Sequence, residues 1–166
     1  MTNSGRLWLG AKDPKRADTP KFKGTPPIKK PGVNPAWSKT QLSIAVVVVG
    51  EDPYAEMKGD RSDLALSADD VAAVSDAKAA GVPVVVVVLS GRPLVLGSVA
   101  DQADAIVAAW LPGTEGQGVA DVLFGDAPPT GRLSFTWPRS MGQVPLGHGK
   151  AAIQDPLFPF GFGTGF

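Results

Sequence analysis

Four carboxylates lie within ten residues in the segment GEDPYAEMKGD, residues 50–60, directly after a run of four valines. They are Glu51, Asp52, Glu56 and Asp60. Carboxylates held close together suppress one another's ionisation, which can keep one of them protonated near neutral pH as a general acid. Lys58 and Arg61 oppose this effect because they keep neighbouring carboxylates charged. From the residues alone, two interpretations stay open: a catalytic carboxylate, and a solvated or salt-bridged loop.

Alternating strands and helices have to position this loop. Apolar runs of strand length, rich in β-branched residues, are typical of strands buried on both faces. They cover residues 43–49, 82–90 and 103–110, and residues 131–137 are a candidate fourth strand. Helices are expected from the cap at Ser67 to about residue 80, in residues 92–102, and in residues 114–125. Because parallel strands need crossover connections, the pattern predicts an α/β three-layer sandwich with a mainly parallel sheet.

In such a sheet, ligands bind beyond the carboxyl ends of the strands, which is where the acidic segment lies. A second candidate occupies the end of the next strand, where Ser90 lies in LSGRP. With His148 and an aspartate, Ser90 would suggest a Ser-His-Asp hydrolase, although the elbow pattern G-x-S-x-G is missing. An esterase-like hydrolase that uses Ser90 therefore remains an alternative.

The first 42 residues differ from the rest of the chain. Residues 1–40 carry a net charge of +7 and the remainder carries −7. Six prolines keep this segment out of helix interiors and central strands, so we expect an irregular Pro/Lys-rich arm over residues 1–42 and an α/β domain over residues 43–166. The opposite charges suit an arm that packs on the domain of its own chain or on that of another copy, and of the two we favour a homo-oligomer to which the arm contributes. The arm has no recognisable reading motif, so we expect no nucleic-acid partner.

Several classes of site and location are disfavoured by composition. The chain has no cysteine and a single histidine, so we expect no metal site, and we expect no cofactor. No apolar run approaches the roughly 20 residues that a membrane span needs, which predicts no membrane partner. The first residues contain no apolar segment typical of a signal peptide, so the sequence as written predicts a cytoplasmic location.

Four segments resemble a known family in their order and spacing. They are VVVVGEDPYAEMKGD, LSGRPLVL, AAWLPGTEGQGVADVLFGDAPPTGRLSFTWP and DPLFPFGFG. Over about residues 44–163, the chain resembles the second, α/β-sandwich domain of glycoside hydrolase family 3, especially its exo-β-glucanase and β-glucosidase branch. The resemblance implies a retaining mechanism in which two carboxylates flank the scissile bond of a β-glucoside or β-glucan-type sugar.

The resemblance also implies roles for individual residues. The general acid/base of this family is a glutamate on the sandwich domain, for which Glu51 is the first choice and Glu56 the second. Asp52, Tyr54 and Arg92 are candidates for substrate binding. The family's nucleophile is an aspartate on a preceding (β/α)8 barrel, and 166 residues leave no room for a barrel of ~250 residues beside this domain.

The function that the resemblance implies is that of a carbohydrate-active hydrolase domain that supplies the general acid/base for glycosidic bond hydrolysis. The sandwich itself resembles only the later two-thirds of the family's domain, because the strands and helices that normally precede residue 43 have no counterpart here. The alternative is therefore a non-catalytic carbohydrate-binding or assembly module left after loss of the barrel.

Overall fold

The computed structural model describes residues 44–146 and 153–163 of the chain. The predicted arm, residues 1–42, and His148 lie outside the described residues. Within them, three parallel strands form one sheet in the order β1 (Ala45–Gly50), β2 (Val84–Leu89) and β3 (Ala105–Trp110). They alternate with the helices α1 (Ala68–Ala79), α2 (Val99–Gln102) and α3 (Gly116–Phe124). The predicted α/β fold with a parallel sheet is confirmed.

The central strand β2 forms the middle of the core, because its residues Val84–Val88 are buried on both faces of the sheet. β1 pairs with it without interruption, up to the pair Gly50 and Leu89. The pairing of β2 with β3 shifts at its last step, so that Leu89 faces Trp110, whose φ angle is +55°. All three strands therefore end at the same edge of the sheet, where their loops meet.

Helix α1 covers one face of β1 and β2. Its cap is the predicted one: the Ser67 hydroxyl accepts a hydrogen bond from the Asp70 backbone N–H at 3.1 Å and donates one to the Asp70 carboxylate at 2.8 Å. Val74 and Ala77 are the helix residues buried in the core. The helix ends just before Gly81, as the sequence predicted.

β1 leaves one of its faces open. Val46 and Val48 are 46% and 58% exposed, whereas their neighbour Val49, on the other face, is buried. Within residues 44–146 and 153–163, nothing covers this apolar surface. The predicted self-association, and the part of the arm in it, stay predictions.

The prediction of a fourth strand at residues 131–137 is wrong. The backbone of this segment pairs with residues 157–162 instead of the sheet, through an isolated bridge between Trp137 and Phe158 and a hydrogen bond from the Leu133 N–H to the Phe162 carbonyl. The segment is held by Trp137, whose buried indole N–H donates to the Leu94 carbonyl at 2.7 Å. The buried tryptophan and the backbone contacts with residues 157–162 therefore fix this stretch, which the apolar pattern alone had suggested as a strand.

The Asp104 carboxylate joins α1 to the edge of the sheet, and its removal provides a test of the fold. Its Oδ2 atom accepts hydrogen bonds from Lys78 Nζ and from the Val84 backbone N–H, each at 2.8 Å. Because Val84 is buried, the Asp104→Ala substitution leaves its N–H unsatisfied. We expect this variant to lower the free energy of unfolding at pH 7 by about 1–2 kcal/mol, measured by urea denaturation.

The pKa of the same carboxylate leads to a prediction about how the free energy of unfolding depends on pH. The hydrogen bond from Lys78, followed by that from Val84, lowers the pKa of Asp104 below its usual range. A lowered folded-state pKa stabilises the fold above the unfolded value of about 3.9, and this contribution is lost as pH falls through the folded-state pKa. The difference in the free energy of unfolding between wild type and Asp104→Ala should therefore become smaller in acid. Lys78→Met, the matched control, should cost less than about 1 kcal/mol because the ion pair is exposed. A difference that stays constant into acid would contradict this account.

Candidate functional site

The acidic loop, residues 51–61, leaves β1 at the carboxyl edge of the sheet. The Glu51 N–H donates to the Leu89 carbonyl at 2.9 Å, so strand pairing continues one residue past β1 and fixes the start of the loop. The loop then makes a 3-10 turn, Glu56–Gly59, before the chain returns towards α1. The predicted position of the acidic segment, beyond the end of a parallel strand, is confirmed.

The Glu51 carboxylate is held by two guanidinium groups. Its Oε1 atom accepts hydrogen bonds from Arg92 Nη2 at 2.7 Å, from Arg92 Nε at 3.1 Å and from Arg61 Nη1 at 3.4 Å. Only 4% of the Glu51 side chain is exposed. The hydrogen bond to Glu51 raises the pKa of Arg92, so the guanidinium stays charged. Glu51 thus forms an inward-facing ion pair that links the loop after β1 to the loop after β2.

Tyr54 packs its ring against neighbouring parts of the site, although 36% of the residue stays exposed. The Arg92 guanidinium carbon lies 5.0 Å from the centre of the Tyr54 ring, and the hydroxyl donates a long hydrogen bond to Glu51 Oε2 at 3.4 Å. The ring lies between Gly59 and Gly91. A Cβ atom on Gly59 would collide with the ring carbons, and one on Gly91 would lie 2.6 Å from the hydroxyl oxygen. The ring therefore fits between these two residues because both are glycines.

A pocket of about 680 Å³ opens beside the acidic loop. Of the five residues expected at the site, four line it: Glu51, Asp52, Tyr54 and Arg92. The fifth, Glu56, lies outside the lining. The fold thus brings together the side chains expected to bind sugar and places the two candidate acids in different surroundings.

Glu56 is the accessible glutamate of the loop. Its backbone adopts a φ angle of +50°, a left-handed conformation that few residues other than glycine adopt. Its side chain is exposed, and among the described residues its carboxylate has no hydrogen-bond or ion-pair partner. The two glutamates therefore differ sharply: Glu51 is enclosed and paired, whereas Glu56 is open to an incoming molecule.

Ser90 and Arg61 have structural contacts. The Ser90 side chain is buried, and its hydroxyl donates to the Arg92 carbonyl at 2.7 Å. This geometry gives no support to Ser90 as a nucleophile. Arg61 contacts the Glu51 carboxylate and donates to the Ala65 carbonyl at 2.7 Å. The order of the strands could have predicted the contact between Glu51 and Arg92. In a parallel sheet, the loop after one strand lies beside the loop after the neighbouring strand.

Metal-ligand clusters and membrane-spanning helices are both absent from the part of the chain that the structure describes. Across residues 44–146 and 153–163, no group of three or more histidine, cysteine, aspartate or glutamate side chains is arranged to hold a metal ion. None of the helices in those residues is long and apolar enough to span a bilayer.

Similar proteins are found among both sequences and solved structures. The periplasmic beta-glucosidase of Salmonella typhimurium is 36% identical to this chain, and the match covers 76% of the chain and 19% of that enzyme. The beta-xylosidase of Formosa agariphila is 37% identical, with coverage of 84% and 21%. The crystal structure of the exo-1,3/1,4-beta-glucanase from a Pseudoalteromonas species matches with a TM-score of 0.67 and 44% identity, covering 74% of this chain and 16% of that one.

The chain therefore spans about a fifth of the length of these relatives. The family description that matches is that of the glycosyl hydrolase family 3 C-terminal domain, over residues 35–166. This match begins upstream of the domain boundary expected at residue 43. Since it covers most of the chain, and since sequence relatives and solved structures agree with it, the chain belongs to the glycosyl hydrolase family 3 C-terminal domain family.

Proposed function

We propose that this chain supplies the general acid/base for the hydrolysis of a β-glycosidic bond, and that Glu56 is the residue that does so. The observation that carries the proposal is the position of Glu56 at the carboxyl edge of the sheet: it is exposed, has no partner among the described residues and lies in a loop whose ends are held. The relatives named as beta-glucosidase, beta-xylosidase and exo-beta-glucanase support a β-linked sugar as the substrate class.

The surroundings of the two glutamates favour Glu56 over Glu51, the first choice from the sequence. A general acid has to come within about 2.6–3.2 Å of the atom that it protonates. Glu51 is 4% exposed and its Oε1 is engaged by Arg92, so a sugar would reach it only after that ion pair opens. Glu56 is exposed and has no ion-pair partner among the described residues, so a sugar can approach it without breaking such a contact. The third glutamate near a loop, Glu115, lies at the start of α3 and not in the acidic loop.

The proposed reaction follows the retaining scheme. The Glu56 carboxyl donates its proton to the glycosidic oxygen as the anomeric carbon leaves that oxygen and bonds to a nucleophilic carboxylate. The Glu56 carboxylate then takes a proton from the water that attacks the anomeric carbon, displaces the nucleophilic carboxylate and releases the sugar. The nucleophilic carboxylate, needed about 5–5.5 Å from the acid, would come from outside the acidic loop, as the family's barrel aspartate does. Asp52, Asp60 and the exposed part of Arg92 offer hydrogen bonds to sugar hydroxyl groups in the pocket.

The test of this function uses two forms of the protein. The purified 166-residue chain is assayed on 4-nitrophenyl β-glucoside, on the matching β-xyloside and on 4-nitrophenyl acetate. In a second form, residues 44–163 replace the matching segment of the Pseudoalteromonas glucanase, which supplies a nucleophile. We expect the hybrid to hydrolyse the glucoside and the isolated chain to do so far more slowly or not at all. Sugar binding by the isolated chain, without turnover in either form, would instead indicate a carbohydrate-binding module, and acetate hydrolysis alone would indicate an esterase.

A further inference from the structure

We infer that Arg92 is a positioning residue that fastens both ends of the acidic loop to the end of β2 and thereby fixes where Glu56 is presented. The part of this inference that concerns catalysis rests on the proposed function, since it takes Glu56 as the acid/base. The part that concerns the loop rests on contacts alone.

Arg92 contacts the acidic loop at both of its ends. Its Nη2 atom donates to Glu51 Oε1 at 2.7 Å, at the start of the loop, and to the Gly59 carbonyl at 2.5 Å, at the end of the 3-10 turn. Its Nε atom donates a further bond to Glu51 at 3.1 Å. One guanidinium group thus closes a loop segment of nine residues. We call Arg92, Glu51 and Tyr54 together the loop latch.

The loop latch is itself anchored in the sheet. The Arg92 carbonyl accepts the hydrogen bond from the buried Ser90 hydroxyl at 2.7 Å, and the Ser90 N–H donates to the Trp110 carbonyl at 3.0 Å. The chain of contacts therefore runs from the end of β3, through the loop after β2, to the acidic loop. Ser90, which the sequence suggested as a nucleophile, therefore has a structural role: it links the end of β3 to the backbone of Arg92.

The middle of the acidic loop depends on this latch because it has little packing of its own. Residues 55–58 are exposed, and Met57 is 81% exposed. A segment with few buried contacts opens at a low free-energy cost unless its ends are held. Glu56 lies in this segment, so its position relative to the sheet is set mainly by the contacts at Glu51 and Gly59.

Arginine suits this position better than lysine. The planar guanidinium donates to a carboxylate and a carbonyl at once and also stacks over the Tyr54 ring. A lysine ammonium at residue 92 would keep the charge but would lack the second nitrogen that lies beside Glu51. Arg92→Lys should therefore restore part of the function lost in Arg92→Met, which keeps the apolar stem and removes every donor.

Proteolysis of the full 166-residue chain by a glutamate-specific protease measures loop opening directly. The sequence has only three glutamates, Glu51, Glu56 and Glu115, so cleavage after Glu115 serves as an internal reference. We expect Arg92→Met to raise the rate of cleavage after Glu56 by at least about tenfold, since it removes charge-assisted hydrogen bonds. Arg92→Lys should lie between Arg92→Met and wild type.

The matched control is Arg139→Met, because Arg139 is also paired with a carboxylate, that of Asp155, on another part of the surface. This variant should leave cleavage after Glu56 unchanged. Equal cleavage rates in wild type and Arg92→Met would overturn the latch. So would a rise in cleavage after Glu115 as large as that after Glu56, because it would indicate general destabilisation.

Tyr54 offers a spectroscopic test that needs no enzyme activity. It is the only tyrosine in the chain, so selectively labelled tyrosine gives a single set of ring signals by NMR. Arg92→Met should shift and narrow these signals towards those of a free tyrosine, and Arg139→Met should leave them in place. Unchanged Tyr54 signals in Arg92→Met would overturn the latch even if cleavage had increased.

Catalysis distinguishes positioning from general support of the fold. In the hybrid enzyme, Arg92→Met should lower kcat about tenfold for an alkyl β-glucoside, whose leaving group needs protonation, and much less for a 2,4-dinitrophenyl β-glucoside. Equal losses on both substrates would exclude positioning of the acid. If cleavage and NMR support the latch but Glu56→Gln has normal activity, the proposed function fails and the latch stands.

Discussion

Replacement of Glu56 by glutamine should lower kcat for an alkyl β-glucoside by on the order of 10²-fold or more in the hybrid enzyme. The glutamine side chain has nearly the same size but has no acidic proton to give to the leaving oxygen. Because Glu56 is exposed and has no partner among the described residues, its replacement should not disturb the fold. Thermal unfolding of the variant should therefore match that of wild type.

The leaving group decides whether this loss reflects acid catalysis. A 2,4-dinitrophenyl group departs with little protonation, so the Glu56→Gln variant should form the glycosyl-enzyme from that substrate almost normally. Its second step should then be slow for want of a base, and azide, a charged nucleophile that needs no base, should accelerate it. A loss that is the same for alkyl and dinitrophenyl glucosides would exclude Glu56 as the acid.

Glu51→Gln is the matched comparison and tests the other choice. The glutamine oxygen can still accept a hydrogen bond from Arg92, so the loop latch is weakened but not abolished. We expect a loss well below that of Glu56→Gln, with partial recovery on the dinitrophenyl substrate. A loss on the order of 10²-fold in Glu51→Gln, together with nearly normal activity in Glu56→Gln, would return the acid/base role to Glu51.

The elements that the sequence predicted best are those fixed by local chemistry. Runs of β-branched residues predicted all three strands. Ser67 predicted the start of α1, because its capping hydrogen bond spans only three residues. Gly125 ends α3 with a φ angle of +81°, which is also a local property. Residues 131–137 had the composition of a strand, but distant contacts decide their conformation, since Trp137 is anchored by the Leu94 carbonyl.

The sequence predicted where the candidate site lies but not which of its side chains contact one another, because these contacts join loops that are distant in the chain. Clustered carboxylates after a buried strand indicated a site at the sheet edge, and the acidic loop lies there. The sequence left a catalytic carboxylate and a salt-bridged loop as competing interpretations. The pairing of Glu51 with Arg92, 41 residues away, makes one part of the loop salt-bridged, whereas Glu56 makes no such contact with any residue that the structure describes.

Trp137→Ala should destabilise the fold more than any other substitution discussed above. Its side chain is 2% exposed, its ring centre lies 5.9 Å from that of Trp110, and it packs in the core cluster with Leu94. Large-to-small changes of a buried tryptophan cost about 3–5 kcal/mol. The melting temperature should fall by on the order of 10 °C. Phe135→Ala is the matched control, because Phe135 is 47% exposed and should cost much less.

Trp137→Phe separates the hydrogen bond from the packing and links the core to the site. Phenylalanine keeps much of the apolar volume but leaves the Leu94 carbonyl without its indole donor, at a cost of about 1–3 kcal/mol. Leu94 lies two residues after Arg92, so this bond holds the segment that carries the loop latch. We therefore expect Trp137→Phe to raise glutamate-specific cleavage after Glu56 relative to cleavage after Glu115. A lower free energy of unfolding with no change in the ratio of the two cleavage rates would mean that Trp137 stabilises the core only. In that case the loop latch would be anchored through Ser90 and the sheet, without help from Trp137.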